Sequence, residues 1–228
     1  MKTLTPIWFD IDGTLLHTRA GHGAFQKALR DVYGWEESME SVQFAGNTDL
    51  QVLMDMSRFH GGDPEVALSR RHEFFERMAA HLDEGLSGES PERIPGANEL
   101  VAALLEELDV SLELLTGNAR SCAFIKLKHV ELHEAFRGGG FGDEHADRNI
   151  LATRARDQIA ARLPSDVTLA PGWVIGDTPR DVAAAHRIGA RCLGVASGAY
   201  TAEQLLEAGA DRVVTTLDPD DVLGELLA

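Results

Sequence analysis

Ile7-Trp8-Phe9-Asp10-Ile11-Asp12-Gly13-Thr14-Leu15 is the stretch whose reading decides the fold. Large apolar residues run directly into two carboxylates, a glycine and a hydroxyl. Such a run predicts a buried strand, of the parallel kind, that stops where the polar groups begin. Open parallel sheets bind ligands outside the carboxyl ends of their strands, so Asp10 and Asp12 stand where chemistry is done. Residues two apart in extended chain share a face, which lets both carboxylates point at one site. Neighbouring anions repel, and the conflict raises a pKa or recruits a cation. Gly13 permits a sharp turn or a close approach. The competing reading is a hairpin turned at Asp12-Gly13. It requires a second strand at once, and Leu15 to Gly23 does not alternate.

The remainder of the chain bounds the class. With 228 residues, 44% hydrophobic and 25% charged, it suits one large domain, or one domain carrying an insertion. A formal net charge of −16 argues against a nucleic-acid partner, which calls for basic stripes. The same charge repels anionic substrates at long range, so a phosphate site would need a local cation or aligned N–H groups. Cys122 and Cys192 are far apart and lack metal-ligand spacing, which leaves no disulfide framework and makes a reducing cytoplasm the expected compartment. No apolar run approaches the roughly 18 residues of a membrane span, and no signal-peptide core is visible, so no membrane partner is expected.

Periodicity divides the chain into two kinds of segment. Phe25, Ala28, Leu29 and Val32 recur at helical spacing before Gly34. Asn47 or Thr48 can cap a helix ending at Gly61-Gly62, and Asp63-Pro64 opens a long one to about Asp83. Gly85 to Pro95 reads as a linker. Residues 17–92 are thus expected to be a helical block without strands. Beyond it the spacing predicts a helix over 97–108, a strand over 110–115 and a helix over 119–132. A glycine-rich loop at Gly138-Gly139-Gly140 precedes a helix over 148–163. Strands at 173–177, 191–195 and 212–214 then alternate with helices over 178–188 and 202–208. This alternation predicts an α/β fold, a doubly wound parallel sheet with an inserted all-α domain. The expected division is 1–16 and 93–228 for the core, and 17–92 for the insertion.

Three strands end in polar residues of unusual kind: Asp10/Asp12, Thr116/Asn118, and Asp177 followed by Asp181. Carboxyl ends of parallel strands lie on one edge, so these groups can meet. Convergent carboxylates with a hydroxyl make an oxygen-rich site suited to Mg²⁺. Taken singly, Asp177-Thr178-Pro179 is also a plausible helix cap and Thr116-Gly117-Asn118 a plain turn.

In order and separation, Asp10-Ile11-Asp12-Gly13-Thr14-Leu15, Leu115-Thr116-Gly117-Asn118 and Ile175-Gly176-Asp177-Thr178-Pro179-Arg180-Asp181 resemble the signatures of the haloacid dehalogenase-like (HAD) hydrolase superfamily. The chain looks most like its phosphoglycolate-phosphatase-like members, whose helical cap is inserted after the first motif. The resemblance implies a Rossmann-like core and a Mg²⁺-dependent phosphatase acting on a small phosphorylated metabolite, as monomer or homodimer. It implies that Asp10 is the nucleophile and Asp12 the general acid and base. Mg²⁺ would be held by Asp10, the backbone carbonyl of Asp12 and Asp177, with Asp181 coordinating or supporting. Thr116 and nearby backbone N–H groups, with Gly117 and Asn118, would bind phosphoryl oxygens. Halide leaves unprotonated, so a second aspartate favours phosphate esters over dehalogenation.

The family's phosphate-neutralising lysine has no direct counterpart. Arg148-Asn149 occupies the usual separation before a helix, and arginine can carry the charge. Lys126, on the preceding helix, is the other candidate, and its bland reading is a surface lysine. Phe44 to Asp49 resembles the cap segment that faces the active site in relatives, so Thr48 and His22 are expected near the substrate. Thr48 also reads simply as a helix N-cap. A β-phosphoglucomutase-like mutase and a catalytically weak phospho-ligand-binding relative are the alternatives. The mutase lacks an arginine near Asn47 for a second phosphate.

Overall fold

The computed structural model describes residues 2–36 and 44–228. Residues 37–43, inside the expected insertion, lie outside the described residues. Strand β1 (Lys2–Phe9) and the short β2 (Leu16–His17) lead into helices α1 (Ala20–Tyr33), α2 (Asp49–Phe59), α3 (Pro64–Ser69) and α4 (Arg71–Gly88), and β3 (Glu92–Arg93) follows. Then come α5 (Ala97–Leu105), β4 (Val110–Leu115), α6 (Arg120–His129), β5 (Gly139–Gly140), α7 (Arg148–Arg162), β6 (Val167–Leu169) and β7 (Trp173–Gly176). The chain continues through α8 (Pro179–Arg187), β8 (Arg191–Val195), α9 (Ala202–Glu207), β9 (Arg212–Val214) and α10 (Pro219–Leu226).

The main sheet has the order β5-β4-β1-β7-β8-β9, with β6 paired to the start of β1, and its pairings are parallel. Alternation buries both of its faces. Ile7, Phe9, Leu112, Leu114 and Ile175 pack into one cluster with residues of α5, α6 and α10. Trp8, Leu115, Val174 and Cys192 join the other, with residues of α7, α8 and α9. Helices on both faces are what parallel crossovers require. β1 lies between β4 and β7, where the order of strands reverses, and its end is therefore the crevice in which such folds bind ligands.

Helices α1, α2 and α4 have an apolar cluster of their own, including Phe25, Leu29, Leu53, Met56, Phe74 and Leu82. Ala119 and Cys122, at the start of α6, complete it and tie it to the sheet layer. Thr48 is the N-cap of α2, its hydroxyl accepting from the Gln51 N–H, and Asp63 with Pro64 opens α3.

The observed elements depart from the expected ones in several places. The helix expected over 64–83 breaks at Arg70, whose φ and ψ are −106° and 11° and whose guanidinium reaches the Val32 carbonyl at the end of α1. It resumes and runs on to Gly88, through the expected linker. Leu82 and Leu86 are buried there, and tertiary packing overrides the weak propensity of Gly85 and Gly88. The block over 17–92 is not strand-free: β2 and β3 pair antiparallel, Leu16 with Arg93 and His17 with Glu92, so the chain leaves and returns at one place. Gly139-Gly140 is a strand of the sheet rather than a loop. Gly139 has φ +144°, and a Cβ there would stand 1.9 Å from the Leu114 carbonyl oxygen. Strand β6 and helix α10 were not expected; the latter carries the same Asp-Pro signal as α3, at Asp218-Pro219.

Leu53 is fully enclosed in the cluster of α1, α2 and α4. Leu53→Ala is therefore expected to destabilise the protein by about 2–5 kcal/mol. Urea unfolding followed by circular dichroism reads this as a lowered midpoint, and an unchanged midpoint would contradict the packing described.

Candidate active site

The ends of β1, β4 and β7 bring the sequence-distant groups together. Asp10 is 5% exposed, and its N–H donates to the Ile175 carbonyl at 2.9 Å. Asp10, Asp177 and Asp181 each offer a carboxylate oxygen within 4.8 Å of the others. Asp181 lies fully buried in the first turn of α8. Its Oδ2 accepts from the Thr178 N–H at 3.0 Å and from the Thr178 hydroxyl at 2.7 Å, while its Oδ1 accepts from Arg148. The Arg148 Nη2 also donates to the Leu115 carbonyl at 2.8 Å and stands 3.3 Å from the Asp10 Oδ1. Arg148 opens α7 because Asp147 caps that helix, accepting from the Asn149 N–H.

Asp177 is held between two glycines. A Cβ at Gly13 or at Gly198 would come within 2.2 or 2.4 Å of its Oδ2. Its Oδ1 is buried and has no hydrogen-bond partner. Burial, with the charges of Asp10 and Asp181, pushes its carboxyl up to about 9. Burial likewise raises Asp10 to about 6, against the pull of the Arg148 guanidinium and with the push of Asp181 and Asp12. A partnerless oxygen and two proton-hungry carboxylates are what an oxygen-liganded divalent cation would satisfy, so these residues fit Mg²⁺.

The Asp12 carboxylate lies outside that group of three. It accepts from the Lys126 ammonium at 2.6 and 2.8 Å and from the Asn118 amide at 2.7 Å. Burial alone would raise Asp12, yet the Lys126 charge and these hydrogen bonds outweigh it and hold the carboxyl below its usual range. Lys126 is 4% exposed and also donates to the Asn118 Oδ1 at 2.6 Å. The surface-lysine reading of this residue is therefore overturned: α6 turns Lys126 inward onto Asp12. Thr116 is fully buried, its hydroxyl accepting from the Asn118 backbone N–H at 3.2 Å and side-chain amide at 2.9 Å.

A cavity of about 360 Å³ lies between this edge and the insertion. Asp10, Asp12, Asp177, Gly117, Asn118, Lys126 and Arg148 line it from the sheet side, and His22 from the other. Thr116 stands behind Asn118 rather than in the wall, and Thr48 is likewise absent from it. Thr48 is buried as the α2 cap, and its hydroxyl donates to the Ala146 carbonyl at 2.9 Å.

Asp49 was expected near the site only as the last residue of the Phe44 to Asp49 segment, and the segment after β8 was not singled out by the sequence. Asp49 is buried at the first turn of α2 and accepts from the Ala119 N–H at 2.7 Å; burial pushes it up to about 7 despite that bond. The segment after β8 places Ser197 against the Gly13 carbonyl and Gly198 against Asp177. Its position at the end of a fourth parallel strand was the available signal.

Residues 151–219 match the family model described as HAD-hydrolase-like. No curated protein sequence matches the chain. A solved hydrolase from Pseudomonas syringae is 28% identical, with 97% of this chain and 99% of that one covered at a TM-score of 0.67. CbbY from Rhodobacter sphaeroides, in complex with phosphate, is 20% identical over 99% of this chain and 100% of that one, at 0.68. A protein described as a predicted phosphatase from Clostridium acetobutylicum is also 20% identical, over 99% of both chains, at 0.68. The two likenesses at 20% establish the fold.

Asp10 and Asp177 hold protons more tightly folded than unfolded. Between the ordinary carboxylate range and about pH 9 the metal-free folded state carries the extra protons, so its stability falls as pH rises. Mg²⁺ competes with those protons. Its stabilisation, about 5–10 °C in melting temperature at hundredfold excess over Kd, should be much reduced near pH 5.5 and should grow through pH 8 toward pH 9. Thermal melts with and without Mg²⁺ measure this, and a pH-independent shift would sink the assignment of these carboxylates.

Proposed function

We propose that this chain, a HAD-like hydrolase by its matched segment and its fold, is a Mg²⁺-dependent phosphatase that hydrolyses a small phosphomonoester through an aspartyl-phosphate on Asp10. The catalytic core is 1–16 and 93–228, and 17–92 is the cap. The observation that carries the reading is the separation of two carboxylates only two residues apart. Asp10 belongs with Asp177, Asp181 and Arg148, whereas Asp12 turns to Lys126 and Asn118. One environment suits a nucleophile beside a metal, the other a proton carrier beside the leaving group.

Asp10, the Asp12 backbone carbonyl and Asp177 would hold the Mg²⁺, with Asp181 fixing Arg148 and the Thr178 turn. When bound, the ion supplies charge neutralisation that keeps Asp10 ionised and admits a dianion among carboxylates. A carboxylate oxygen of Asp10 attacks phosphorus as the bond to the leaving oxygen breaks, and Asp12 gives that oxygen a proton. Asp12 then takes a proton from water, whose oxygen attacks the phosphorus and releases inorganic phosphate and free Asp10. Asp12 lies low in the free protein; an arriving phosphoryl dianion raises it and competes for the Lys126 ammonium, so that Asp12 takes up from solvent the proton it must donate. Lys126 and the Gly117-Asn118 turn would meet phosphoryl oxygens, while Arg148 neutralises the nucleophile from behind.

No helix of the described residues is long and apolar enough to cross a membrane, and both cysteines are free and buried. The proposed setting is the cytoplasm.

Asp10→Asn should abolish turnover. Asp12→Asn should lower kcat for alkyl phosphates by about 10²–10⁴, and far less for p-nitrophenyl phosphate, whose leaving group needs no proton. Steady-state phosphate release measures both. Equal losses on the two kinds of ester would remove Asp12 from the proton-carrying role.

A further inference from the structure

Resting on the phosphatase reading, we infer that the released alcohol is uncharged and presents an apolar face, so that the substrate carries no second anion. The cavity extends from Asp10 to a wall made by Phe25, Phe44, Met78 and His22. Phe44 stacks obliquely on His22 at 4.5 Å between ring centroids and meets Phe25 edge-on at 5.4 Å. The three carbon side chains of this wall take flat, apolar surface, and His22 alone among the four offers an N–H to an anion.

Among the described residues, Lys126 and Arg148, which line the cavity from the sheet side, serve the carboxylates and the transferred phosphoryl group. An ammonium has three donors, and Lys126 directs its hydrogen bonds to both oxygens of Asp12 and to Asn118. Arg148 turns its Nη2 to Asp181, Asp10 and the Leu115 carbonyl, its Nε is buried without a partner, and the Nε2 of His17 lies 3.0 Å from the Ser197 carbonyl. Arg180 bonds Asn47 and does not line the cavity. Residues 37–43 contain no lysine, arginine or histidine. Among the described residues that line the cavity, His22 is the basic group on the wall of Phe25, Phe44 and Met78, and the Asp49 carboxyl lines the cavity as well. A second negative charge would thus meet a carboxyl, one imidazole and aromatic carbon.

The test uses ester pairs that differ in charge: 2-hydroxyethyl phosphate against phosphoglycolate, and glucose 6-phosphate against glucose 1,6-bisphosphate, each with Mg²⁺. The expected kcat/KM favours the member of each pair that lacks the second anionic group by about tenfold or more. Ala45, exposed at the cavity rim, provides the converse: Ala45→Arg should shift each ratio by about tenfold toward the charged member. Phe44→Leu should lower kcat/KM for phenyl phosphate more than for acetyl phosphate. Equal or better use of phosphoglycolate or the bisphosphate by the wild type overturns the inference. Acetyl phosphate turnover that is lost in Asp10→Asn keeps the phosphatase reading standing in that event. No turnover of any ester overturns both.

Discussion

Three carboxylates driven to one buried edge of a parallel sheet are the constraint from which most of the local structure follows. Asp10, Asp177 and Asp181 come from separate places in the sequence, and each pays in desolvation and mutual repulsion for its position. Asp181 is reconciled by the Thr178 turn and by Arg148, and Asp10 in part by the same guanidinium. Asp177 keeps an oxygen without a partner. The surrounding chain is shaped to permit this crowding. Side chains at Gly13 or Gly198 would collide with Asp177, and one at Gly176 with Asp181. The apolar packing on both faces of the sheet offsets the cost, because β1 is buried from Pro6 to Phe9, β4 from Ser111 to Leu115 and β7 throughout.

The Asp12–Lys126–Asn118 group is a second, separate solution to the same problem. Here the anion is neutralised by a buried ammonium instead of a shared cation, and Thr116 orients the amide that completes the group. The single residue between Asp10 and Asp12 suffices to place them in different environments, because the regular strand ends at Phe9 and Gly13 follows with φ +78°.

Across the cavity, the start of α2 is fastened to the loops of the core. The Asp49 N–H donates to the Gly117 carbonyl, the Leu50 N–H to the Gly142 carbonyl and the Thr48 hydroxyl to that of Ala146, while Asp49 accepts from Ala119. Donors left over at a helix start are thereby used to fasten the helical block to the edge of the sheet.

Much of this was legible in the residues. The apolar run into Asp10, the strand ends at Thr116 and Asp177, and the alternation of strands and helices follow from period-2 burial and from the fact that parallel strands end on one edge. Strands without side chains, such as Gly139-Gly140, leave no such trace; their pairing comes from backbone contact with β4 alone. The break at Arg70 and the run of α4 through Gly85 arise from contacts between helices, which outweigh local propensity. So it was with the cations. By itself, the order of residues determined which groups could meet at the edge of the sheet. Only the tertiary structure decided that Lys126 turns inward to Asp12 while Arg148 serves Asp10 and Asp181, because charge pairing depends on distances between helices that no spacing along the chain encodes.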